Sequence, residues 1–202
     1  MDKKKKLLND TELTAKSAES LRQHLATMVR TAMFTALITI CSQITIPMPP
    51  PLVPFTLQTL AVFLAGSFLG CKRSVLCVMI YLLLGMCGLP VFSQFRGGIG
   101  VLMGPTGGYI IGFLAIAFLV GLFQDKFGNR IWSMALSMTI GLFVCYLFGT
   151  VWFLILYRQN NGADSINLWG ALTLCVFPFL LVDGLKIVAA VFLSNRLHKI
   201  IK

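Results

Sequence analysis

The stretch IWSMALSMTIGLFVCYLFGTVWFLILY, from Ile131 to Tyr157, carries no charged residue from end to end. A spanning helix needs about 20 largely apolar residues, within a range of about 17 to 25. This segment is therefore long enough to cross a bilayer and to tilt or kink in doing so. Working outward, five further apolar stretches run from about Val29 to Ile46, Phe55 to Gly70, Val75 to Phe92, Tyr109 to Phe123 and Leu168 to Leu193. The whole chain of 202 residues follows the same trend: 57% is hydrophobic and 12% charged, with mean hydropathy +0.84. A soluble domain is about half apolar and about a quarter charged. These segments predict an all-α membrane protein, a six-transmembrane-helix bundle over residues 25–202. Residues 1–24 form a polar arm, expected to be disordered or a short surface helix.

Seventeen Lys and Arg against seven Asp and Glu give a net charge of +10, which in a soluble protein would suggest nucleic acid. Their positions exclude that reading. Lys3 to Lys6, Lys16, Arg22 and Arg30 gather before or at the head of the first stretch. Lys72, Arg73, Lys126, Arg130, Arg196, Lys199 and Lys202 lie in alternate later gaps or after the last stretch, whereas the intervening gaps hold only Arg96 and Arg158. This is the positive-inside pattern; with an even number of spans it predicts that both termini are cytoplasmic.

The seven acids are Asp2, Asp10, Glu12, Glu19, Asp125, Asp164 and Asp183, so no carboxylate side chain occurs from residue 20 to residue 124. Chemistry that needs paired carboxylates is excluded. His24 and His198 sit at the polar ends, leaving no imidazole in the apolar body for a metal or a triad. The six cysteines show no CxxC spacing and read as small buried apolar side chains. Gly104-Pro105-Thr106-Gly107-Gly108 is not followed by Gly-Lys-Ser/Thr and is no phosphate-binding loop. The first 20 residues lack the apolar core of a signal peptide. No enzyme activity, cofactor or metal is expected.

Asp183 and Lys186 lie three residues apart within an apolar helix and so share a face. A lone charge at the bilayer centre costs about 2.5–3.5 kcal/mol, and such residues face the bundle interior. The pair is either a polar binding site or a self-satisfied couple that fixes helix packing. Pro178, five residues earlier, is expected to break the last helix. Two uncharged connectors, Pro47 to Pro54 and Gly97 to Gly108, precede the second and fourth stretches, which look short for a span. Gly- or Pro-interrupted segments of this kind mark transporter binding sites; ordinary outer loops are the alternative. Thr56, Gln58 and Tyr109 stand where those two helices start, with donors aimed at the outer half of the bundle. On the first stretch Thr27, Thr31, Thr35 and Thr39 recur every four residues beside Ala32 and Ala36, and Gly66 with Gly70 and Gly108 with Gly112 repeat that spacing. Such small residues permit close helix approach, within the chain or with a partner, and spacing alone favours use within the chain.

Val53-Pro54-Phe55-Thr56-Leu57-Gln58-Thr59-Leu60-Ala61-Val62, Gly88-Leu89-Pro90-Val91-Phe92, Gly104 to Tyr109 with Gly112-Phe113, and Asp183 to Lys186 together resemble the BioY family, the biotin-binding S components of energy-coupling factor (ECF) transporters. The likeness runs from about Arg30 to about Leu193. It implies a six-helix bundle in a prokaryotic cell membrane that binds biotin near its outer face. It also implies a transmembrane coupling subunit, with its ATPases, docking on an Ala-xxx-Ala motif that Ala32 and Ala36 match; the resemblance thus moves those alanines from internal packing to partner docking. Asp183, Lys186 and Tyr109 carry over as substrate contacts, with Thr56 and Gln58 beside them. Arg96 departs from the family pattern and could approach a substrate carboxylate or face water. A stand-alone carrier, proton-linked through Asp183, is the alternative function.

Overall fold

The computed structural model describes residues 2–46, 54–161, 170, 173 and 176–201. The protein is mostly helical: α1 (Asp2–Gln43), α2 (Gln58–Leu69), α3 (Cys71–Met86), the single turn α4 (Ile99–Leu102), α5 (Gly107–Phe127), α6 (Ile131–Asn161) and α7 (Phe177–Ile201). Segments Lys16–Gln43, Gly107–Phe127 and Ile131–Gln159 are long and apolar enough to cross a membrane. The polar arm and the first apolar stretch share one uninterrupted helix from Asp2 onward.

Large apolar side chains are turned outward in rows. On α6, Leu136, Phe143, Leu147, Val151 and Ile155 follow one another at helical spacing, all more than half exposed; on α7, Leu181, Leu185, Val188 and Phe192 do the same. An apolar surface of this extent is suited to lipid rather than water. Inside, Phe63, Tyr81, Phe92, Ile116, Met138 and Phe153 form the core.

At its centre lies α2. It has 12 residues, about 18 Å of helix at 1.5 Å per residue, too short for a hydrocarbon layer of about 30 Å. Nearly all its side chains are buried among α1, α3, α5 and α7. Short helix at membrane depth is stable there because protein covers its ends.

Three expectations change. The fourth stretch is not short: α5 extends from Gly107 to Phe127, because the glycine pair joins the helix and Gln124–Phe127 prolongs it. The last stretch is interrupted beside Pro178, as expected: Gly170 and Thr173 are helical, Val176 lies in a turn and α7 starts at Phe177, with Pro178 as its second residue, where the missing N–H has no partner to lose; Phe179 and Leu180 donate to the Val176 carbonyl, both at 3.0 Å. The first connector is not wholly irregular either, since Thr45–Ile46 and Phe55–Thr56 form a two-stranded antiparallel ladder (β1, β2) pairing Thr45 with Thr56, a small exception to an all-α fold. Residues 47–53, the bulk of that proline connector, lie outside the described residues. Finally, helix α3 ends at Met86 and the apolar residues after it form a loop, pinned to the end of α1. Gln43 Nε2 donates to the Phe92 carbonyl at 3.1 Å, Gln43 Oε1 accepts from the Phe95 amide at 2.9 Å, and Ser42 Oγ donates to the Val91 carbonyl at 2.6 Å.

Glycines set the close approaches, in line with their spacing. A Cβ on Gly66 would meet Val120 at 2.8 Å, and one on Gly112 would meet Cys145 Sγ at 2.7 Å. Gly70 lies against Asp125, whose Oδ2 accepts from the Cys71 amide at 2.9 Å; a carboxylate there complements the positive end of α3.

Candidate functional site

Asp183 and Lys186 project from α7 onto the first turn of α2, and both are buried. Their i, i+3 spacing brings Lys186 Nζ to 2.6 Å from Asp183 Oδ1. Thr59 bridges the couple: its hydroxyl donates to Asp183 Oδ1 at 3.2 Å and accepts from Lys186 Nζ at 3.1 Å. The third ammonium donor reaches the Thr56 carbonyl at 2.7 Å, just before α2 begins. On the other side, the Tyr146 hydroxyl of α6 donates to Asp183 Oδ2. Every hydrogen of the ammonium and both carboxylate oxygens thus have partners, which is what stabilises a buried ion pair against its desolvation cost.

This couple lines an open pocket with a cavity volume of about 60 Å³. Small-molecule sites have mostly apolar walls and a few fixed polar groups. Here Ile110, Phe113, Leu142 and Phe179 supply apolar wall, while Thr56, Gln58, Thr59, Tyr109, Tyr146 and the ion pair supply polarity. Gln58, the first residue of α2, is held by the Tyr81 hydroxyl, to which its amide donates, and by Thr56 Oγ1 at 3.0 Å from its Oε1. The Tyr109 hydroxyl lies 3.2 Å from Thr150 Oγ1 across the α5–α6 contact. Its ring abuts Gly149, where a Cβ would approach to 2.3 Å.

Five of the six predicted contact residues therefore converge: Asp183, Lys186, Tyr109, Thr56 and Gln58. Arg96 does not join them. It is exposed on the loop after α3 and lies off the pocket lining, although Ser93 of the same loop reaches it. That loop holds Gln94 and Phe95 at φ 61° and 57°, left-handed backbone that is costly for residues with a side chain and collects near functional sites. Of the second connector, Thr106 lines the pocket, and Trp152 Nε1 of α6 ties the run down by donating to the Gly104 carbonyl at 3.1 Å.

Thr59, Tyr146 and Ser93 escaped sequence reading. Tyr146 had a signal, a phenol in the middle of the charge-free Ile131–Tyr157 stretch; Thr59 and Ser93 had none beyond proximity to Gln58 and to the Gly-Leu-Pro turn.

Away from this pocket, Ala32 and Ala36 are exposed along an apolar groove between α1 and α3, lined also by Met28, Ile40, Leu76 and Ile80. The neighbouring threonines line the same groove: Thr31 and Thr35 are buried in its floor, and each hydroxyl from Thr27 to Thr39 donates to the carbonyl four residues earlier.

Lipid-facing helices around an open pocket that holds a buried ion pair define a membrane protein built to hold a small molecule. A family model described as the BioY family matches residues 10–202; the chain belongs to the BioY family. It is 40% identical to "Biotin transporter BioY" of Thermotoga maritima over 86% of this chain and 96% of that one. It is 39% identical to "Probable biotin transporter BioY" of Pyrococcus horikoshii over 83% and 93%. Among solved structures, the 2.1 Å crystal structure of the S-component for biotin from an ECF-type ABC transporter superposes with TM-score 0.78 at 29% identity, covering 88% of this chain and 93% of that chain.

Proposed function

We propose that this chain captures biotin at the outer face of a prokaryotic cell membrane as the substrate-binding subunit of an ECF-type transporter. It is a multi-pass membrane transport protein and not an enzyme. Its relatives' names and the S-component likeness speak for biotin as substrate and for ECF subunits as partners; nothing favours the stand-alone carrier over this reading.

The observation that carries the site is the Asp183–Lys186 couple in the pocket lining, bonded to α2, to the lead of α2 and to α6. Biotin offers two ureido N–H donors, a carbonyl acceptor, an apolar sulfur ring and an anionic tail. Asp183 accepts from the ureido group, and Lys186 donates to the ureido carbonyl or pairs with the tail. Tyr109 closes one side, Thr56 and Gln58 border the entrance, and the connector Gly97 to Gly108 covers it. Because all three Lys186 hydrogens are already bonded, a substrate that takes one must exchange with a present partner, whereas Asp183 Oδ2 accepts only from Tyr146 and keeps acceptor capacity for a substrate donor. The Lys186 bond to the Thr56 carbonyl is the one that connects the couple to the first connector.

The topology proposed is six crossings with both termini in the cytoplasm, over a membrane domain of residues 25–202 and a polar arm of residues 1–24. It is supported by the way the Lys72–Arg73, Lys126–Arg130 and Arg196–Lys199 clusters share one end. The Cys71 amide meets Asp125 there, and the Phe68 and His198 rings stack at 4.4 Å. Ala32 and Ala36 dock the transmembrane coupling subunit, whose ATPases supply the energy.

Isothermal titration of the purified chain with biotin tests the site. Asp183→Asn and Lys186→Met each leave a buried partner uncompensated, a loss of about 3 kcal/mol or more, so affinity should fall at least about 100-fold. Unchanged affinity in both variants removes the assignment.

A further inference from the structure

The cationic end of the bundle carries a second groove, which the transport reading leaves unused. It lies between the α5–α6 turn and the last turns of α7, with Phe123, Phe127 and Leu136 in its wall and Arg130 and Lys199 on its rim. It holds about 1370 Å³ of free space, counting its open side. Trp132, also lining it, is 87% exposed, and tryptophan is the side chain enriched at the level of lipid headgroups.

Three observations restrict what could occupy it. Arg130 and Lys199 lack an anionic partner: among the described residues the only ion pair is Lys186–Asp183, and the nearby Asp125 carboxylate accepts from the Cys71 amide instead. Ser133 Oγ, inside the groove, is buried with no hydrogen-bond partner among the described residues. The apolar wall runs on at Leu136 into the outward rows of α6. A small soluble anion would use the two cations and leave that wall bare. A chain-bearing anion would use both.

We propose that this groove binds one anionic glycerophospholipid from the leaflet facing the cationic end. Its phosphate sits between Arg130 and Lys199, and its acyl chains lie along Phe123, Phe127 and Leu136. A guanidinium fork matches phosphate oxygens in pairs while an ammonium acts as a point charge, and basic pockets between membrane helices are known to suit such headgroups. Ser133 supplies a free hydroxyl for a headgroup or ester oxygen. The bound lipid joins the α5–α6 turn to α7, the helix that carries Asp183 and Lys186.

The test uses the purified full chain in nanodiscs of phosphatidylcholine containing a minor share of phosphatidylglycerol, followed by native mass spectrometry of the lipid retained on the protein. The wild type should keep one phosphatidylglycerol with about tenfold preference over phosphatidylcholine, two rim cations being involved. Arg130→Gln combined with Lys199→Gln should abolish the preference with unchanged helical circular dichroism. Lys72→Gln combined with Arg73→Gln, which removes the same charge from the neighbouring turn, should preserve it. Undiminished preference in the first variant, an equal loss in the second, or displacement of the lipid by equimolar inorganic phosphate would each overturn the proposal.

Discussion

Asp183 has one oxygen committed to Lys186 and Thr59 and the other to Tyr146, so its orientation is set by three helices at once. Replacing Tyr146 by Phe leaves Oδ2 buried without its donor. A lost hydrogen bond to a charged group is worth about 1.5–3 kcal/mol, and biotin binding should weaken by about tenfold or more. Titration showing wild-type affinity would remove Tyr146 from the machinery that orients the carboxylate. Arg96→Ala is the contrasting case: an exposed side chain off the pocket lining should change affinity less than about threefold, well under 1 kcal/mol, and a tenfold loss would place Arg96 on the substrate. The charged pair and Gln58 were legible as residues because polar groups are rare and expensive in apolar sequence. Thr59 was not, because a threonine satisfies itself within a helix as readily as it bridges two.

Helix pairing decides how firmly these side chains are held. The Tyr109 ring fits against α6 only because residue 149 is glycine. Gly149→Ala forces a Cβ into that ring; overpacking costs about 1–3 kcal/mol, so the unfolding temperature in detergent should drop and biotin binding should weaken with it. An unshifted melting curve would mean that α5 and α6 separate freely here. On the opposite flank, Ala32→Trp or Ala36→Trp fills an outward groove without touching the pocket. Copurification with the coupling subunit should be lost while biotin titration stays unchanged; intact assembly would end the docking proposal. Element boundaries were read less well than element existence. The Gly107–Gly108 pair looked like loop, yet it belongs to α5, because glycine is needed there for contact: a Cβ on Gly108 would strike Trp152 at 2.4 Å.

For the whole molecule, orientation is the open proposal, and the chain's own residues report on it. Cys87, at the end of α3, is exposed, and Cys71 and Lys72 stand at that helix's other end. In otherwise cysteine-free variants, a membrane-impermeant maleimide added to intact cells should label Cys87. The same reagent should reach a Lys72→Cys variant only after permeabilisation. Labelling of that variant from outside would reverse the assigned orientation. The arrangement of charge over the molecule agrees with this, because the cation clusters of three separate connections meet at one end, as attraction between cytoplasmic loops and an anionic leaflet favours.

Sequence alone determined that the chain lives in lipid, where its apolar stretches lie, and that one pair of opposite charges stands inside them. Those properties are local: hydropathy over about 20 residues and helical spacing of three need no knowledge of the rest of the fold. Only the tertiary structure decided that α2 is an enclosed helix and that Thr59 meets Asp183 across 124 residues of chain. It alone also decided that Tyr146 completes the carboxylate's shell and that the alanines and threonines of α1 line one groove against α3. Each of these depends on which neighbour fills the space beside a helix, and close packing among several helices settles that jointly, so no single segment encodes it.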